Sequence, residues 1–103
     1  MTAKGSKSVP VRSTYSVLDD SNRVGIEFLL VEVRTGLTFL DLADSTESEK
    51  DRRRSLENAR AIYRRVMKLL PHVSLSPPEG NELRDKLNAI RERLVRAGLS
   101  VEA

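Results

Sequence analysis

The 103-residue chain has no cysteine and no tryptophan, a single histidine and only 4% aromatic residues. Without cysteine there are no disulfides, no thiol nucleophile and no cysteine-ligated zinc. His72 alone cannot supply the paired imidazoles of a His–His–carboxylate metal site. Gly5, Gly25, Gly36, Gly80 and Gly98 are scattered singly, so no glycine-rich loop exists to cradle phosphates. The longest apolar run is Phe28-Leu29-Leu30-Val31, far short of the roughly 20 residues that span a bilayer. Lys4 and Lys7 stand near the start, but Ser, Thr and Pro follow where a secretory signal would carry its apolar stretch. These absences lead to the expectation of a cytoplasmic protein with no membrane contact and no cofactor. A domain near this size builds one core and has little chain left to wrap a deep cleft. Binding or scaffolding is therefore expected ahead of catalysis.

What the chain has in quantity is charge, and it is segregated. The net charge is +3, but residues 1–18 carry +3, residues 19–46 carry −4, residues 47–70 carry +4 and residues 71–103 balance. An acidic segment directly before a basic one is what two neighbouring antiparallel helices would carry to attract each other. The basic segment also raises a second reading, nucleic-acid contact, because Lys and Arg neutralise phosphates. Arg52-Arg53-Arg54 would extend through Arg60, Arg64 and Lys68 along one side, but no aromatic platform accompanies them, and Glu49, Asp51 and Glu57 lie within a turn.

Residues 1–18 mix Gly, Ser, Pro and Lys without a sustained period and are expected as a flexible basic arm, with Val9, Val11, Tyr15 and Val17 able to clip onto the domain. Residues 19–103 are expected as one helical domain. From 20 to 44, Ile26, Leu29, Leu30, Val33, Leu37 and Leu40 form one apolar stripe at helical spacing, with Asp20 or Ser21 as cap. Val24, Phe28, Val31, Phe39 and Leu42 form a second apolar face almost opposite, leaving Arg23, Glu27, Arg34, Thr38 and Asp41 in a narrow polar strip. Gly25, Thr35 and Gly36 weaken a helix, and a strand through Val24, Ile26, Phe28 and Leu30 is the alternative.

The next segment, 47–70, is amphipathic over about six turns. Leu56, Ala59, Ile62, Tyr63, Val66, Met67, Leu69 and Leu70 lie on one side, Thr46 or Ser48 gives a start signal, and Pro71 a stop. After a turn at 71–78, Ser76, Pro77 and Glu79 announce a third helix with a capping box and proline at its first position. Leu83, Leu87, Ile90, Leu94 and Ala97 make its seam. Gly98 closes it in the left-handed position, with Leu99 placed against Leu94.

Within the second helix the spacing of Ala59, Tyr63, Val66, Met67 and Pro71, A-x-x-x-Y-x-x-V-M-x-x-x-P, resembles the second helix of a tetratricopeptide repeat over about 15 residues. The resemblance implies a helix hairpin of a kind that stacks on neighbours and binds peptides or proteins. One such unit has no neighbours with which to form a groove. The combination of TGLTFLDLA with ENARAIYRRVMKLLP is similar to small bacterial helical proteins of unknown function.

Asp41 with Asp44, and Asp19 and Asp20 with Arg23, sit one turn apart, but at helix ends or in the polar strip where solvation and capping account for them, so no catalytic residue is assigned. The resulting expectation is an all-α fold, a small three-helix bundle built on an antiparallel hairpin. It is a non-enzymatic module for protein–protein interaction, through homo-oligomer formation or docking to a larger partner. The expected interface is Val24, Phe28, Val31, Phe39 and Leu42, because a three-helix bundle needs only one apolar stripe per helix. The alternative is nucleic-acid binding through Arg53, Arg60, Arg64 and Lys68.

Overall fold

The computed structural model describes the backbone of residues 3–101 and the side chains of residues 20–101. Three helices run up, down and up: α1, Ala3–Ser45; α2, Glu49–Leu69; and α3, Pro77–Arg96. A 3-10 turn at Leu70–His72 follows α2. The fold is a small all-α bundle built on the α1–α2 hairpin, with α3 laid along it and most of its own packing directed at α1. The strand alternative for residues 24–30 is not adopted.

The helix begins well before the cap expected at Asp20 or Ser21, since its backbone runs from Ala3. Asp20 is not a cap: its carboxylate accepts from the Arg23 guanidinium at 3.3 Å, a pairing one turn along the same helix. The helical backbone thus passes through the stretch expected as an arm. Its side chains, and with them the expected docking of Val9, Val11, Tyr15 and Val17, lie outside the described residues.

The remaining helix ends follow from local chemistry. Ser48 caps α2, its hydroxyl accepting from Asp51 N–H at 3.2 Å. At α3 the capping box is complete: Glu79 N–H donates to Ser76 Oγ at 3.3 Å, and Ser76 N–H donates to Glu79 Oε1 at 3.0 Å. Gly98, at φ +91°, ends α3. Leu99 N–H donates to Leu94 O and Gly98 N–H to Val95 O, both at 2.9 Å, the two bonds of a Schellman turn.

The core takes one stripe from each helix. Leu29, Val33 and Leu40 of α1, Ala59 and Val66 of α2, and Leu83, Ile90 and Leu94 of α3 are all fully buried. Each large aliphatic side chain so removed from water contributes about 1.5–3 kcal/mol. Val101, beyond α3, folds back and is buried in the same cluster.

At two glycines that weaken α1 as an isolated helix, Gly25 and Gly36, side chains of other elements approach its backbone closely. A Cβ on Gly36 would stand 3.1 Å from Ile90 Cδ1 and 3.3 Å from Ile62 Cγ2, so at this point α1 touches α3 and α2 together. A Cβ on Gly25 would stand 2.8 Å from Val73 Cγ1, in the connector between α2 and α3. The same connector is held by Asn22, whose Nδ2 donates to Ser74 O at 3.0 Å while its Oδ1 accepts from Ser74 N–H at 2.7 Å.

Alanine at position 36 gains about 1 kcal/mol of helix propensity over glycine. Its methyl, however, meets two buried, β-branched isoleucines that have little room to move. Gly36→Ala is expected to lower stability by a net of about 1 kcal/mol, and Gly36→Val by more. Urea unfolding measures this; a Gly36→Ala midpoint at or above that of the unaltered chain would show that the isoleucines yield.

Candidate functional site

A helix that packs on two others from one side has an outer side of its own. In α1 the inner stripe faces α2 and α3, and residues about half a turn away face outward. Val24, Phe28, Val31 and Leu42 are exposed there to 64%, 43%, 55% and 49%. They are the main apolar surface of α1 that the described part of the chain leaves uncovered.

Phe39 differs from the other four expected interface residues. It is partly buried and packed against the core. It falls about 60° round the helix from Val24, on the side of Glu32, seven residues earlier. Glu32 forms an ion pair with Arg65 of α2, so Phe39 leans over α2 rather than outward.

Two residues of the outer face were not singled out from the sequence as part of an apolar surface. Thr35 Oγ1 donates to Val31 O at 2.8 Å, and Thr38 Oγ1 donates to Arg34 O at 3.1 Å. Each hydroxyl is turned back onto its own helix, which leaves the methyl as the outward group. Val24, Phe28, Val31, Thr35, Thr38 and Leu42 then step by 4, 3, 4, 3 and 4 residues. That is the a/d spacing of a coiled-coil seam, and it runs along about 27 Å of helix. The spacing is visible in the sequence; only the direction of the threonine hydroxyls requires the structure.

Some of the charged residues of α1 are tied to the bundle. Arg93 of α3 donates to Asp44 at 2.7 Å and pairs with Asp41 at 3.1 Å, which accounts for the two carboxylates one turn apart. Arg34 reaches Glu82 of α3 at 3.7 Å. No cluster of three His, Cys, Asp or Glu that could hold a metal ion occurs among the described residues, and none of the described helices is long and apolar enough to cross a membrane.

The four basic residues weighed for nucleic-acid contact have unequal situations. Arg53 is exposed, 3.8 Å from Glu49, and Arg64 and Lys68 are exposed. Arg60 is not: its side chain is 22% exposed, paired with Glu57 at 2.6 Å, and its Nη1 donates to Ser100 O at 3.2 Å, holding the segment that carries buried Val101. The stripe is thus interrupted at its centre by a guanidinium committed to the fold and by the carboxylate beside it.

A groove of about 220 Å3 opens between α2 and α3, lined by Tyr63, Met67, Leu70, Leu75, Leu83 and Arg84 among others. It is smaller than the roughly 300–1,000 Å3 of small-molecule sites. Its floor is core side chains, and it reads as a place where the two helices diverge.

Comparison with protein-family models, with curated proteins and with solved structures finds no match to this chain.

Arg60→Ala is expected to lower stability by about 1–2 kcal/mol, because it removes a charge-assisted bond to the C-terminal segment. Lys68→Ala is expected to stay within about 0.5 kcal/mol of the unaltered chain. Thermal or urea unfolding of the two variants checks the contrast, and equal effects would contradict the assigned role of Arg60.

Proposed function

We propose that the chain is a non-enzymatic protein-interaction module whose contact surface is the outer face of α1 and whose first partner is another copy of itself. The observation that carries this reading is the exposure of Val24, Phe28, Val31 and Leu42 on one side of a helix whose other side already fills the core. Isolated exposed apolar residues are ordinary, but a continuous strip at coiled-coil spacing with its threonine hydroxyls satisfied internally is a surface prepared for burial.

Magnitudes favour a partner that brings an apolar strip of its own. Full burial of a Val, Leu or Phe side chain is worth about 1.5–3 kcal/mol, and about half of that remains to be gained at these exposures. Four such side chains contribute on the order of 4 kcal/mol, which does not exceed the several kcal/mol lost in rigid-body freedom on association. Two facing strips contribute roughly twice as much. A net of about 4 kcal/mol makes the association weak, with a Kd on the order of 1 mM.

Sedimentation across about 0.05–5 mM tests this, the range being set by that affinity. The unaltered chain should move from monomer toward dimer. Val31→Glu should keep the same helical circular dichroism and shift the transition at least about tenfold higher in concentration. A chain that stays monomeric throughout, or a Val31→Glu variant that assembles as well as the original, would overturn the proposal.

A further inference from the structure

The outer seam of α1 also carries information about how two copies would lie together. Phe28, Thr35 and Leu42 hold one core position of the heptad, and Val24, Val31 and Thr38 hold the other. On one flank, immediately before the first set, stand Glu27, Arg34 and Asp41. On the other flank, immediately after the second set, stand Gly25, Glu32 and Phe39. The two flanks are chemically different, and this difference selects the geometry.

In a parallel pair each flank meets the opposite flank of the other helix. Glu27 would face Glu32 and Arg34 would face Phe39, so no pair of opposite charges forms. In an antiparallel pair each flank meets its own kind. With the two-fold axis near residue 30, Glu27 faces Arg34 of the second copy, and by symmetry the pair occurs twice. Of the two neighbouring antiparallel registers, the one with its axis near residue 27 pairs Asp20 with Arg34 but sets Glu27 against Glu27 and Val31 against the polar Ser21, giving up apolar burial. The one with its axis near residue 34 sets Arg34 against Arg34 and Glu27 against Asp41, which are like charges. Like charges across an interface act against the arrangement that brings them together.

The favoured register also matches sizes. Phe28 layers against Val31 of the second copy, and Val24 against Thr35, so bulky and small side chains alternate along the seam. Its unfavourable meeting is Asp20 with Asp41, which the axis likewise repeats. Each of these already has an arginine of its own chain beside it, Arg23 at 3.3 Å and Arg93 at 3.1 Å. Glu27 is exposed and has no ion-pair partner among the described residues, and Arg34 shares only a long contact with Glu82.

We infer that a second copy of this chain docks antiparallel on the outer face of α1, with Val24, Phe28, Val31 and Thr35 forming the shared core and Glu27 paired to Arg34 of the other copy on both sides of the axis. This rests on the proposed self-association and gives it an orientation and a register.

Charge exchange tests it on the full chain. Glu27→Arg alone and Arg34→Glu alone should each weaken self-association by about tenfold, since two attractive pairs become repulsive. An equimolar mixture of the two variants should recover association, because both 27–34 pairs are again of opposite sign. Cysteine placement gives an independent readout in a chain that has none. Val24→Cys mixed with Thr35→Cys should cross-link under mild oxidation, and Leu42→Cys alone should not. Self-cross-linking of Leu42→Cys, or a mixture no better than its components, would overturn the antiparallel register while leaving self-association through α1 in place. Absence of any assembly by the unaltered chain would remove both.

Discussion

The close passage of α1 over Ile62 and Ile90 at Gly36 is the constraint on which the bundle depends. Side chains of two neighbouring helices can reach the backbone of a third at one point where it presents no side chain, and Gly36 provides that point near the middle of the packed length. The stripe of Leu29, Val33 and Leu40 then points between α2 and α3. Once that side is committed, the opposite side of α1 has nothing in the bundle to meet. The exposed seam is therefore a geometric result of the same contact that closes the core.

Electrostatics refine this arrangement without dictating it. The acidic stretch before α2 and the basic stretch within it suggest mutual attraction between the first two helices, and Glu32 with Arg65 follows that pattern. Asp41 and Asp44 turn instead to Arg93 of α3, and Arg34 finds Glu82 there. Pairing by blocks of net charge is too coarse, because an ion pair forms between side chains within a few ångströms, and which helix lies on which flank decides that. These surface pairs are each worth at most about 1 kcal/mol, so they tune the packing that the apolar stripes establish.

The parts of the fold legible in the sequence are those encoded by neighbours in the chain. Ser76, Pro77 and Glu79 start α3, and Gly98 with Leu99 ends it, through contacts spanning a few residues. The seam of Leu83, Leu87, Ile90 and Leu94 and the apolar side of α2 follow from spacing alone. What spacing does not contain is which distant residues meet. Gly25 and Gly36 are unfavourable for an isolated helix and become points of close approach once Val73, Ile62 and Ile90 are in place. The bond from Arg60 to Ser100 and the exchange between Asn22 and Ser74 join residues 40 and 52 positions apart. Of the surface residues, Val24, Phe28, Val31 and Leu42 were readable as a second apolar face, while Phe39 is partly buried against the core.

Because α1 commits one side to the core and presents another outward, folding and the proposed association would draw on separate residues of a single helix. Substitutions along the seam would drift without harming the subunit, and a duplicated copy could acquire its own recognition by exchanging the charges at positions 27 and 34. Two such copies would then share one scaffold and yet ignore each other.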